Sequence, residues 1–303
     1  MWKIFHDSAL KSWLDRQSQT FGGNVMKRIV LSILGCLAFA SAAQAKATSS
    51  IFPKNNAWVG IERSDAGIDE AAFNKVLDKI VAIYNPIVAA HGYQLNFNRL
   101  WPDGTVNSDT STEGNSWVVN SYGGLARYTG MTSDGYAGVA CHELGHHLGG
   151  APVFNDGSDM SVEGEADYHV GTKCLHKYFA GDDNKKIVAA MKIDPVAAKK
   201  CTAAYVGNAD EIALCERSAM AGFVLADILR SLGGSAAIAF DTPDKSQVTV
   251  TYEDHPEAQC RLDTYFASAL CTVSSDVEFS TTDAKVGACN SGVGARPLCW
   301  YKP

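Results

Sequence analysis

The spacing of His142-Glu143-Leu144-Gly145-His146 could hold a metal ion. On an α-helix, residues four apart lie one turn along and about 40° round the axis, so His142 and His146 present their imidazoles on one face. Two such nitrogens can bind Zn²⁺ at about 2.0–2.1 Å, and Glu143 beside them can act as general base toward a water in the open position. Two histidines leave the site one protein ligand short.

Gly149 fits the longer pattern His-Glu-x-x-His-x-x-Gly-x-x-His of a metzincin, but Pro152 stands where its third histidine belongs. His147 lies 100° from His146 and is read as a solvated or supporting residue. A gluzincin instead takes a glutamate from a following helix, and Ser161-Val162-Glu163-Gly164-Glu165-Ala166-Asp167-Tyr168 supplies one. Glu163 is the expected third ligand. Asp167, four residues on, can accept a hydrogen bond from the far nitrogen of a ligating histidine. Glu165, about 200° from Glu163, is expected to face solvent. Two neutral histidines and one carboxylate would leave one zinc ion per chain with a net positive site. Gly145 costs the helix about 1 kcal/mol against alanine, which a close approach of another element would offset.

Several elements must position these groups. Helix is predicted over 134–148, stopped by Gly149-Gly150 and Pro152, and again over 161–179 with Ser161 as N-cap. Phe73, Val76, Leu77, Ile80, Val81 and Tyr84 repeat at helical spacing within 68–90, where Asn85-Pro86 is expected to kink or split the helix. Strands are predicted at 93–97 and 116–122, and further helices at 187–200, 210–232 and 256–270. The fold class is α+β, mostly helical with a small sheet, along whose edge a peptide could add as a strand. A Gly- and Cys-rich tail, 272–303, follows the domain 46–271.

The N-terminus adds a destination. Met26-Lys27-Arg28, the apolar run Ile29–Ala40 and the Ala43-Gln44-Ala45 site have the form of a secretory signal over 26–45, with 1–25 as an upstream extension. The chain is therefore expected to be exported, periplasmic or secreted. An uncleaved anchor and lipidation at Cys36 are the weaker readings. Removing 1–45 takes away five Lys/Arg and two Asp/Glu and moves the net charge from −7 to −10, which disfavours nucleic acid as a partner. No other segment has the apolar length of a membrane span.

Eight cysteines remain: Cys141, Cys174, Cys201, Cys215, Cys260, Cys271, Cys289 and Cys299. An even number in an exported chain predicts disulfides. Cys260 and Cys271 on one helix would stand about 16 Å apart, so each needs another partner, with Cys289 and Cys299 available. None of these features bears on oligomeric state.

Three motifs together resemble the zinc metallopeptidase family that includes the CAAX prenyl endopeptidases and the bacterial heat-shock membrane protease. Val106-Asn107-Ser108 and Gly123-Gly124-Leu125-Ala126-Arg127 precede His-Glu-Leu-Gly-His, Glu163-Gly164-Glu165-Ala166-Asp167 follows it, and His255-Pro256 through Arg261 comes later. The resemblance covers roughly residues 68–266. It implies a zincin-like fold and a zinc-dependent endopeptidase acting on polypeptide, closest to the family's soluble periplasmic branch. It places His255 where it would steady an oxyanion and Arg261 where it would pair with an acid near Glu163. The alternative is an envelope binding, assembly or quality-control factor that keeps the zinc fold with little proteolysis.

Overall fold

Asp69 starts the first long helix, its carboxylate accepting from the Ala72 N–H, and α1 runs over Glu70–Ala90. The buried stripe of α1 is Phe73, Val76, Leu77, Ile80, Tyr84 and Val88. Pro86 lies within its last turns without splitting it. These elements belong to a computed structural model that describes residues 48–63 and 67–303. The expected extension, signal and Cys36 lie outside the described residues.

A mixed four-stranded sheet precedes the His-Glu helix. Its strands are β1 (Thr48–Ser50), β2 (Gln94–Leu100), β3 (Ser108–Glu113) and β4 (Ser116–Tyr122), in the order β1-β3-β4-β2. A turn at Gly114, with φ of 62°, joins β3 to β4 in an antiparallel pair with Thr110 opposite Val119. Parallel β2 pairs with β4, and β1 runs antiparallel to β3 with Ser49 opposite Thr110. Strand β3 escapes the sequence reading because Ser-Asp-Thr-Ser-Thr-Glu carries no apolar alternation. Its inward hydroxyls are satisfied by the sheet itself: Ser108 donates to the Asn120 carbonyl at 2.9 Å and Thr110 to that of Val118 at 3.1 Å.

After the short turn of helix α2 (Gly123–Ala126), α3 spans Ser133–Leu148, capped by Thr132. The helix predicted from Ser161 begins two residues later, as α4 (Glu163–His169). It passes through a π-helical turn, Val170–Cys174, into α5 (Leu175–Phe179). Ser161 is not its cap, because that hydroxyl donates to the Gly150 carbonyl. The single helix expected at 187–200 is two, α6 (Asn184–Ala189) and α7 (Pro195–Ala204). Pro195 biases Asp194 away from helical backbone, and the Asp194 carboxylate then caps the new start. Helix α8 (Ala209–Gly233) ends at left-handed Gly234, and α9 covers Ala258–Ala269.

Packing makes α3 the central element. It lies against α1, α4, α8 and the sheet, and Cys141 at its middle is bonded to Cys174. A Cβ on Gly145 would lie 2.7 Å from the Ala166 carbonyl oxygen, so α3 and α4 touch backbone to backbone at the metal motif. The other disulfides are Cys201–Cys215, Cys260–Cys299 and Cys271–Cys289. Two of these fasten the segment after residue 271 onto α9. The Trp300 ring fills the space beside Gly164, where a Cβ would meet it at 2.2 Å. Among the described residues, no helix is long and apolar enough to cross a membrane.

Candidate metal centre

Helix α3 turns His142 and His146 to one face, and α4 brings Glu163 against them. The Nε2 atoms of the two histidines are 3.1 Å apart. His142 Nε2 lies 3.3 Å from Glu163 Oε2, and His146 Nε2 lies 3.6 Å from Oε1. A tetrahedral ion with bonds of about 2.0–2.1 Å sets its ligand atoms about 3.3 Å apart, close to the separation of the two nitrogens and to the distance from each nitrogen to its nearer carboxylate oxygen.

Tautomers sharpen the argument. His146 Nδ1 faces the Ser161 carbonyl at 2.8 Å and so carries the proton there. His142 Nδ1 faces Asp167 Oδ1 at 2.7 Å and donates likewise. In neutral rings both Nε2 atoms then hold lone pairs, and they point at each other and at a carboxylate whose Oε2 has no hydrogen-bond partner. Three converging lone-pair donors repel unless a positive charge lies among them, either a metal ion or a second proton on His142 Nε2 facing Glu163. Two imidazoles and one carboxylate are a donor set that could hold a divalent metal ion.

Electrostatics favours a positive charge at this centre. Burial pushes His146 down to about 4, which keeps its ring neutral. Burial opposes charge on His142 as well, but Asp167 and Glu163 outweigh it and raise that ring to about 9. The same carboxylates would attract a metal ion. Burial also acts to raise Glu163, and the facing imidazoles hold its carboxyl well below the usual range.

Around this centre, Asp167 is held by Arg261, whose Nε donates to Oδ2 at 2.6 Å, and by the Tyr265 hydroxyl. Arg261 is thus the partner of Asp167, four residues from Glu163. Glu143 is fully buried with neither carboxylate oxygen hydrogen-bonded, and burial pushes its pKa well above the ordinary value. His255 comes in from the loop before α9: the Glu163 N–H donates to the Glu253 carbonyl at 3.2 Å, and His255 Nε2 stands 3.4 Å from Glu163 Oε2. That Nε2 donates to the Ser50 carbonyl at 2.6 Å.

Two expectations need correction. Glu165 does not face solvent: it is fully buried and paired with Arg296, at 2.5 and 2.6 Å. His147 is half-buried, its ring stacked on Trp117 with centroids 4.6 Å apart and its Nε2 bonded to the Thr110 hydroxyl. Strand β3, beside the centre, is flanked by β1 and β4, so the sheet's edges are β1 and β2. Sequence reading also missed Ser49, whose hydroxyl donates to Glu163 Oε1, and Tyr265. Tyr265 had a signal, being four residues after Arg261 on α9 and so on the same face. Ser49 had none.

Among the described residues one other group of metal-ligand types gathers, Asp244, Cys260 and Cys299, but its two sulfurs are joined as a disulfide. Comparison with protein-family models, curated proteins and solved structures finds no match to this chain, so the family resemblance stands on the three motifs alone.

Proposed function

We propose that the chain is an exported, zinc-dependent metalloendopeptidase of zincin-like fold, with zinc held by His142, His146 and Glu163. The observation that carries this is the convergence of two imidazoles, whose outer nitrogens are already engaged, on one carboxylate, beside a buried glutamate whose oxygens meet no hydrogen-bond partner among the described residues. Bound zinc would supply a Lewis acid and a water of lowered pKa. Glu143, next to His142 on α3, would be the group placed to accept a proton there once a bound cation favours its ionised form. Asp167 fixes the His142 tautomer and is itself held by Arg261 and Tyr265. His255 donates from Nε2 toward the oxygen of a carbonyl under attack.

Metal analysis of the purified protein should find close to one equivalent of zinc, lost in Glu163→Ala. A peptide-library digest should be stopped by a chelator and by Glu143→Gln. Less than about half an equivalent of zinc, unchanged in Glu163→Ala, rejects the centre.

One observation favours a second reading. His142, Glu143, His146 and Glu163 are all buried, none more than 2% exposed. A centre so covered suits a binding or quality-control factor with little proteolysis. Retention of the biological role by Glu143→Gln would select it.

A further inference from the structure

A catalytic metal site keeps one position open, yet this one is covered, and among what lies against it is β1, the first described strand. Strand β1 lies antiparallel on the β3 edge, the lane an added peptide strand would use. Ser49 is buried there, and its hydroxyl donates to Glu163 Oε1 across 114 residues of sequence. The Ser50 carbonyl accepts from His255 Nε2, the donor that stands beside Glu163.

We propose that Thr48–Ser50 is an internal strand plug: it occupies the peptide lane along β3 with the Ser49 hydroxyl at the metal's fourth position, and substrate binds only when it peels away. The inference rests on the peptidase reading and deepens it by naming how the site is held shut. It also describes the polypeptide that replaces the plug, an extended segment antiparallel to β3 with a small side chain where Ser49 lies.

Two features suit the strand to leaving. Its residues are Thr-Ser-Ser, which bury little apolar surface, so polar contacts hold it. The next two residues are fixed. Ile51 and Phe52 are buried, the Ile51 carbonyl accepts from Arg261, and the Arg261 guanidinium lies 5.9 Å from the Phe52 ring centroid. Movement of the plug therefore hinges between Ser50 and Ile51 and leaves Asp167, Arg261 and the ligands in place. A permanent edge cover would need no side chain aimed at a metal ligand and no use of His255.

The test uses the full exported chain loaded with Co²⁺ in place of zinc. In Ser49→Cys, with the other eight cysteines paired, a thiol at the fourth position must give a near-ultraviolet thiolate-to-cobalt charge-transfer band of about one sulfur per metal. In Ser49→Pro the strand loses a ladder bond: Ile51 N–H donates to the Ser108 carbonyl, and antiparallel alternation gives the next such bond to Ser49 N–H. Acetohydroxamate, a small metal-binding probe, should then bind on the order of tenfold more tightly than to the wild type, from the loss of one or two hydrogen bonds holding the plug.

The proposal is overturned if Ser49→Cys binds a full equivalent of cobalt without the band, or if the probe binds wild type and Ser49→Pro alike. Failure of the wild type to hold cobalt sinks the metal centre and the plug together. Band and tighter probe binding without peptide cleavage by Ser49→Pro would keep the plug and reject the peptidase.

Discussion

Replacing Arg296 by methionine tests whether the segment after residue 271 supports helix α4. Arg296 Nε and Nη2 donate to the two oxygens of Glu165 at 2.5 and 2.6 Å, both residues are buried, and the Glu165 carboxylate has no other hydrogen-bond partner among the described residues. Burial already pushes the Glu165 carboxyl above its ordinary value with the guanidinium present. Without Arg296 a carboxylate is left unpaired in the protein interior, a loss of about 3–5 kcal/mol in comparable cases. The Nη1 bond to the Ala284 carbonyl, at 2.7 Å, adds about 1 kcal/mol. Arg296→Met should therefore destabilise the chain by about 4–6 kcal/mol, whereas Glu165→Leu with Arg296→Met should cost far less than the sum of the two single changes. Guanidinium unfolding of the metal-free, disulfide-intact protein measures this, since bound metal would add its own stabilisation. A single-variant loss below about 1 kcal/mol, or additivity of the two changes, would refute the reasoning.

Gly145→Ala would stabilise an exposed helix by about 1 kcal/mol, but here the new Cβ meets the Ala166 backbone. We expect lower thermal stability and at least tenfold weaker zinc in chelator competition, on the order of 1.4 kcal/mol, as α3 and α4 are forced apart. Removing the Cys141–Cys174 bond, which closes 33 residues, should cost about 4 kcal/mol by loop entropy, read from denaturant midpoints of the double alanine variant. Burial pushes Asp263 up from 3.8 to about 6, so the folded state holds the extra proton in that window and its contribution to stability is lost as pH rises through about 6. Melting temperatures of Asp263→Asn against the parent should converge toward about pH 4 and favour the variant above about pH 6.

The parts of the site set by local geometry were legible in the sequence, and those set by remote partners were not. His142 and His146 follow from four-residue spacing on a helix, and Glu163 with Asp167 from the same spacing on the next one. The two helices are held so close by a glycine whose backbone contact was anticipated only as an unnamed neighbour. Glu165 was misread because a helical wheel assigns its far side to solvent, whereas that side of α4 meets Arg296, 131 residues later. Strands β1 and β3 were invisible because their residues are small and hydroxylated, and such residues show a strand only through the partner that accepts their hydrogen bonds.

Helix α4 makes the physical lesson concrete. Every residue from Glu163 to His169 is buried, and the helix carries three carboxylates at alternate positions, Glu163, Glu165 and Asp167. Buried carboxylates persist only when paired. Asp167 has Arg261 and Glu165 has Arg296, so two of the three are neutralised by guanidinium groups whose fit can be measured in the chain itself. Glu163 has no arginine or lysine salt bridge among the described residues: it faces two imidazole nitrogens, the Ser49 hydroxyl and His255. A metal ion bound at the proposed centre would complete the series. Loss of metal should accordingly act on α4 as loss of Arg296 does, loosening the same helix from the other side. Amide exchange over 163–169 in the metal-free and zinc-loaded protein would show this, and equal protection in both would count against Glu163 as a ligand.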